Sequence, residues 1–228
     1  MKQIKKYFTI WGVPIIAYLI PLFLFYLAIS IKSDILVELS IALFFLNLIG
    51  TFIAAIAQIT VKKWYYILSQ VLISIVLYFL FSTYIAIYNP DFYGAYKTIP
   101  KDIQIYEPIS KELSNLTLIE NDLILQQSHQ PGIYNYYTTF NPKEAGTLYI
   151  KAFEITSNDR LSEERINMSS SINIEKIESK IYSGEFTIYE GSWGDKYGAR
   201  IELWFKVKDN NVQYKITEKN YIVEGWMR

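Results

Sequence analysis

The sequence predicts a two-part chain: a membrane domain of three transmembrane α-helices, then an all-β domain of about eight strands forming an antiparallel sandwich or a small barrel. Three observations predict it. Three long apolar stretches follow one another before Pro90; charge is scarce there and abundant afterwards; and beyond residue 110 the apolar pattern takes the period of a strand.

A bilayer core ~30 Å thick and a helix rise of ~1.5 Å per residue require about 20 apolar residues for a crossing. The stretch Thr9 to Ile31 has no charge, Ile35 to Val61 has only Glu38, and Trp64 to Tyr88 has none. Glu38 lies one turn inside its span, where it reaches the interface. Three such stretches in series leave no polar face for a soluble hairpin. The first also has traits of a cleaved signal: Lys2, Lys5 and Lys6 precede it, and Ala28 and Ser30 have the small-residue spacing of a cleavage site. Its apolar core is far longer than the about 7 to 15 residues of such signals, so a retained span is expected.

Lysine-bearing short loops stay in the cytoplasm. Lys2, Lys5 and Lys6 mark one end of the first span, and Lys62 and Lys63 mark the junction of the second and third. Both fall inside if the N-terminal end is inside, which puts the turn at Lys32, Ser33 and Asp34, and everything after the third span, outside. Trp64, Tyr65 and Tyr66 then lie at the inner interface, and Tyr84, Tyr88, Phe92 and Tyr93 at the outer one.

On the second span Ser40, Asn47, Gly50, Thr51, Ala54 and Gln58 recur at near-helical spacing. Gly50 and Ala54 form a small-x-x-x-small pair that admits a close helix, and Asn47 near mid-membrane needs a hydrogen-bond partner. Ser69, Gln70 and Ser74 on the third span are candidates. The face predicts packing within the bundle or in a homo-oligomer; a polar pathway for a solute is the alternative.

Residues 1–88 therefore read as the membrane domain, 89–110 as a linker held extended by Pro90, Pro100 and Pro108, and 111–228 as the β domain. Strands are expected at Leu116–Gln126, Gly132–Phe140, Thr147–Ile155, Ser171–Ile177, Gly184–Glu190, Arg200–Val207, Val212–Thr217 and Tyr221–Trp226. The sixth is the clearest, because Ile201, Leu203, Phe205 and Val207 alternate with Arg200, Glu202, Trp204 and Lys206. Turns are expected at Gln130-Pro131-Gly132, Asn141-Pro142, Ser183-Gly184 and Asp209-Asn210-Asn211. One helix is expected, Asn158–Met168, capped by Asn158 or Asp159.

Three stretches carry a resemblance: Phe186-Thr187-Ile188-Tyr189-Glu190-Gly191-Ser192-Trp193-Gly194-Asp195, then Ala199-Arg200-Ile201-Glu202-Leu203-Trp204-Phe205, and the terminal Ile222-Val223-Glu224-Gly225-Trp226-Met227-Arg228. With Tyr149-Ile150-Lys151-Ala152-Phe153-Glu154 they cover about half of the β domain. This part resembles a group of uncharacterised bacterial membrane proteins with a β-rich C-terminal domain. The resemblance implies a discrete domain family and no particular chemistry.

Composition narrows the function. Before Pro90 there are six lysines against two acids; after it, 16 basic residues against 20 acidic ones. An acidic soluble part without a Lys/Arg run lacks the electrostatic footprint of a nucleic-acid binder. The absence of cysteine excludes disulfides, thiolate catalysis and cysteine-ligated metal. His129 is the single histidine, beside the Pro131-Gly132 turn, so neither a histidine-rich metal site nor a serine triad with a nucleophile elbow is expected. Paired carboxylates such as Glu190 with Asp195 or Glu202 could serve a glycosidase, but an acid-rich domain contains such pairs by chance. No catalytic residue, metal or cofactor is predicted.

The loop from Gly191 to Ala199 is the candidate ligand-binding feature. Its glycines surround Trp193, Asp195 and Tyr197, and Arg200 and Trp204 extend the patch along the next strand. Aromatic rings beside carboxylates suit a glycan or a peptide. The alternative is structural: Trp193 caps the core and Trp204 packs on a neighbour. Tyr134 and Tyr136 share one strand face and are expected in the core or on the sheet surface. The expected partners are thus the lipid bilayer, a second copy through the second helix, and an envelope protein or glycan.

Overall fold

The computed structural model describes residues 2–60, 64–88, 90–110, 119–210 and 212–226. The chain divides into two compact units, with the boundary between Pro90 and Asp91.

The N-terminal unit is helical: α1 (Lys2–Thr9), α2 (Gly12–Ala17), α3 (Leu19–Ile31), α4 (Asp34–Thr60) and α5 (Ile67–Ile87). Among the described residues three spans are long and apolar enough to cross a bilayer: Gly12–Ile31, Asp34–Thr60 and Ile67–Ile87. The first is not one continuous helix, because Pro14 and Pro21 each lack a backbone donor. At the break between α2 and α3 the Tyr18 N–H turns to the Ile15 carbonyl at 3.2 Å instead of bonding four residues back, to Pro14.

Asn47 on α4 meets the oxygen this leaves. Its Nδ2 donates to the Pro14 carbonyl at 3.0 Å, and its Oδ1 accepts the Tyr7 hydroxyl at 2.7 Å. The polar partners of Asn47 are therefore on the first two helices, not among Ser69, Gln70 and Ser74. Gln70 instead donates to the Thr51 carbonyl at 3.2 Å. The small pair on α4 faces inward too: a Cβ on Gly50 would stand 2.5 Å from the Tyr7 hydroxyl, and Ala54 is fully buried. Phe44 stacks on Phe81 at 4.2 Å, with Phe25 edge-on to Phe81 and Tyr18 tilted onto Phe44, so rings fill the middle of the bundle. Trp11 stacks on Tyr66 at 5.1 Å. Lys62 and Lys63 lie outside the described residues.

The second unit holds eight antiparallel strands among its described residues, in two sheets that do not close into a barrel. One sheet is β1 (Leu123–Gln127), β2 (Ile133–Phe140) and β6 (Lys180–Thr187), in the order β1-β2-β6. The other runs β4 (Arg160–Leu161), β3 (Gly146–Glu154), β7 (Tyr197–Val207), β8 (Gln213–Val223), with β5 (Ile172–Ile174) also on β3. Their facing sides form the core, and Ile166 of α6 (Glu163–Ser169) joins it.

Several local expectations need correction. Ser183 and Gly184 are not a turn but the middle of β6, opposite Tyr137 and Tyr136. Glycine is required there because a Cβ would stand 2.7 Å from the Tyr136 ring. The two strands expected across Val212–Trp226 are a single strand, β8, whose register shifts by a bulge opposite Leu203 and Trp204. The expected helix begins later: Asn158 has a positive φ of 58°, Arg160 and Leu161 pair with β3, and the helix starts only at Glu163. Residues 116–118 of the first expected strand lie outside the described residues.

The stretch read as a linker belongs, from Asp91 on, to the β unit. Phe92 is buried, Tyr93 meets the Tyr197 ring edge-on, and a Cβ on Gly94 would stand 2.3 Å from the Asp195 carbonyl. Further along, Tyr106 bridges to Tyr221 of β8 and Ile109 to Gln126 of β1, so one segment touches an edge strand of each sheet.

Buried tyrosine hydroxyls tie these layers together. Tyr136 donates to the Ser170 carbonyl at 2.6 Å, and Tyr197 to the Glu190 carbonyl at 2.8 Å. Tyr221 donates to the Leu123 carbonyl at 2.6 Å and accepts the Leu125 N–H at 3.2 Å. The Tyr134 hydroxyl accepts the Glu224 N–H at 2.9 Å. Burial pushes these phenols far above their ordinary pKa, so they stay protonated donors.

Replacing Asn47 by leucine strands the Pro14 carbonyl and leaves the Tyr7 hydroxyl only the longer contact, 3.3 Å, to the backbone carbonyl of residue 47. A loss of about 1 kcal/mol is expected, read as a lower unfolding midpoint in detergent. An unchanged midpoint would remove Asn47 as the link between α4 and the first two helices.

Candidate functional site

Of the residues that sequence pointed to, Trp193 alone is substantially exposed, at 44%. Tyr197 and Asp195 are buried. Tyr197 is the first residue of β7 and lies in phase with Ile201, Leu203 and Phe205, which puts it in the core. Arg200 and Trp204 are half-buried on the opposite face. The proposed patch thus splits into a loop carrying Trp193 and a sheet face carrying Arg200 and Trp204.

The loop is held tightly. Gly191 and Gly194 have φ of 95° and 85°, which favours glycine at both. The Gly191 N–H donates to Asp91 Oδ2 at 2.9 Å, and the Ser192 hydroxyl donates to the Asp91 carbonyl at 2.7 Å. The Gly194 N–H donates to Glu224 Oε2 at 2.6 Å. A Cβ on Gly225 would fall 2.1 Å from the Gly191 carbonyl, so the chain packs here backbone to backbone. The loop is a braced corner rather than a flexible one.

Other acids also fasten backbone. Glu190 accepts the Ser162 N–H at 2.8 Å and the Ser162 hydroxyl at 2.6 Å, while the Tyr189 N–H donates to that hydroxyl. Ser162 has a φ of 42°, and its side chain serves this contact instead of capping α6. Glu154 accepts the Ser157 N–H and hydroxyl, both at 2.6 Å, and the Thr156 hydroxyl at 2.8 Å, with Lys97 Nζ 3.5 Å away. Burial raises its pKa, but these donors more than offset that and hold it at about 2.

The outer face of the larger sheet is the second candidate. Antiparallel pairing sets Tyr149 opposite Trp204, Lys151 opposite Glu202 and Phe153 opposite Arg200. Lys151 Nζ lies 3.7 Å from the Trp204 ring and 5.6 Å from that of Tyr149, and the guanidinium groups of Arg200 and Arg160 sit over Phe153 at 5.0 and 4.9 Å. Glu202 accepts Trp204 Nε1 at 2.8 Å and Arg200 Nε at 2.9 Å, with Lys215 at 3.5 Å. Burial opposes its ionisation, yet the Trp204 and Arg200 donors and the Lys215 charge pull its pKa below the ordinary value. Glu202 is thus an ionised acceptor. Burial, then repulsion from Arg160, lowers the pKa of Lys151. Sequence reasoning missed Tyr149, Lys151, Phe153 and Arg160. The alternation Tyr149, Lys151, Phe153 marks one face of β3, but only the register with β7 joins that face to Trp204.

The exposed Ser128 hydroxyl and His129 Nδ1 are 3.2 Å apart. Glu190 and Glu202, the carboxylates considered for glycoside chemistry, are committed to Ser162 and to Arg200 with Trp204. Among the described residues no group of three or more His, Cys, Asp or Glu could hold a metal ion. Family models, curated proteins and solved structures contain no match to this chain.

The Glu154 carboxylate has a pKa depressed by folding, so the stability it contributes is present above the ordinary value and lost as pH falls through the depressed one. The chain should lose stability between about pH 4.5 and about pH 2. Glu154→Gln should be less stable at neutral pH and flatter across that window. Denaturant melts at several pH values check this; parallel curves for both proteins would remove Glu154 as a cause.

Proposed function

We propose that this chain is a multi-pass protein of a bacterial cell membrane, related to the membrane proteins it resembles, whose β domain lies outside the cytoplasm and binds a partner protein or a glycan without chemistry of its own. The three apolar spans and the lysines at Lys2, Lys5, Lys6, Lys62 and Lys63 support the orientation. One observation carries the binding role: the outer sheet face sets Tyr149, Phe153 and Trp204 beneath Lys151, Arg160 and Arg200. Phe153 and Trp204 are half-buried and offer rigid contact area, Tyr149 lies buried beside them, and the cations offer hydrogen bonds at the margin. A sugar face or a peptide side chain stacks on such a surface. The donors around it give direction.

A second reading has its own observation. In the helical unit Gln58, Gln70, Ser74 and Thr51 are buried, and both amide atoms of Gln58, Gln70 Oε1 and the Ser74 hydroxyl have no hydrogen-bond partner among the described residues. Polar groups of this kind inside a bundle suit a membrane-active protein or transporter subunit, with the β domain as its sensor. Solute flux through proteoliposomes, lost on Gln70→Leu, would favour that reading.

Two measurements test the first. A reporter that works only outside the cytoplasm, fused after Arg228, should be active; activity of a cytoplasmic reporter there would reverse the orientation. The full chain in nanodiscs, titrated with soluble peptidoglycan fragments or crosslinked to neighbours in its native membrane, should engage a ligand. Trp204→Ala should weaken that engagement by about tenfold. Equal binding by wild type and variant would take the site off this face, and absence of any ligand would end the binding role.

A further inference from the structure

The Trp193 loop sits where chain connectivity limits its position. Asp91, whose backbone and side chain hold Gly191 and Ser192, is four residues beyond Ile87, the last residue of α5. Four residues span at most about 14 Å fully extended, whatever the arrangement of the two units. The last turns of α5 expose Tyr84 and Tyr88, the residue type that settles at the membrane–water interface. The braced corner is therefore tethered within that reach of the end of α5.

What the corner presents also suits that surface. Trp193 is a large amphipathic ring projecting from backbone fixed by Asp91 and Glu224, so exposing it gains no flexibility. Lys196, three residues on, is exposed, whereas Asp195 between them is buried. An indole and an ammonium directed outward match the headgroup layer, where tryptophan is enriched and lysine meets lipid phosphate.

We infer that the loop Gly191–Lys196 docks on the lipid surface, with Trp193 inserted among the headgroups of the leaflet from which α5 emerges. The β domain is then held at two points, one covalent and one lipidic. This does not depend on the ligand of the sheet face, and failure of the binding tests would leave it standing.

The chain has no cysteine, so single labels are clean. Trp193→Cys and Lys196→Cys carry an environment-sensitive fluorophore in the full protein, reconstituted in nanodiscs of phosphatidylcholine and phosphatidylglycerol. Met168→Cys, at a position 82% exposed on α6, is the reference. Headgroup-attached spin-label quenchers should act about threefold or more strongly at 193 and 196 than at 168, and aqueous iodide correspondingly less. If both loop labels match the reference in iodide access and lipid quenching, the inference is overturned. Should Trp193→Cys fail to fold, the label at 196 decides alone.

Discussion

One constraint shapes much of both units: a backbone group or side chain cut off from water is costly unless it meets a partner inside the protein, and Asn47 and the core tyrosines supply such partners. In the helical unit the constraint originates with two prolines. They break the first span, and Asn47 accommodates the break with an amide that reaches Pro14 and Tyr7 together. The features beside it follow, since Gly50 is small because the Tyr7 ring occupies the space a side chain would fill. In the β unit the same constraint is met by phenols. Tyr134, Tyr136, Tyr197 and Tyr221 contribute ring area to the core while their hydroxyls satisfy backbone at strand ends and edges. A phenylalanine in any of these places would retain most of the area and strand a buried group worth about 1 to 3 kcal/mol.

The architecture was legible where periodicity is strong. Long uncharged runs identify the spans, and the alternation through Ile201, Leu203, Phe205 and Val207 identifies β7. Extended backwards, that alternation already places Tyr197 and Ala199 on the core side; the neighbouring glycines suggested a loop and obscured it. Ser183-Gly184 resembled a turn because one sequence does not reveal that a tyrosine ring lies across the glycine. β8 read as two strands because Glu218, Lys219 and Asn220 interrupt its apolar pattern, although at the edge of a sheet such residues carry little penalty.

The candidate site was legible in part. Trp193, Arg200 and Trp204 are on the surface of the β unit, but Asp195 and Tyr197 help build it. The aromatic and cationic face depends on a register between β3 and β7, strands more than 40 residues apart in the chain. Cross-strand contacts of this kind leave no local trace. The acids show the same difference between composition and placement. The sequence supplies many, and their hydrogen bonds reveal fasteners: Asp91 and Glu224 on the corner, Glu190 on Ser162, Glu154 on the turn after β3.

The segment through Tyr106 and Ile109 has a consequence for neighbouring copies. Proteins confined to a bilayer meet one another far more often than the same number free in solution, and open sheet edges invite strand addition between them. By resting on β8 at Tyr221 and on β1 at Gln126, this segment blunts one edge of each sheet. The rest of β8 carries Lys215, Glu218 and Lys219, charges that discourage a flat apolar partner. An edge covered or charged in this way is a poor template for strand addition by a neighbouring copy.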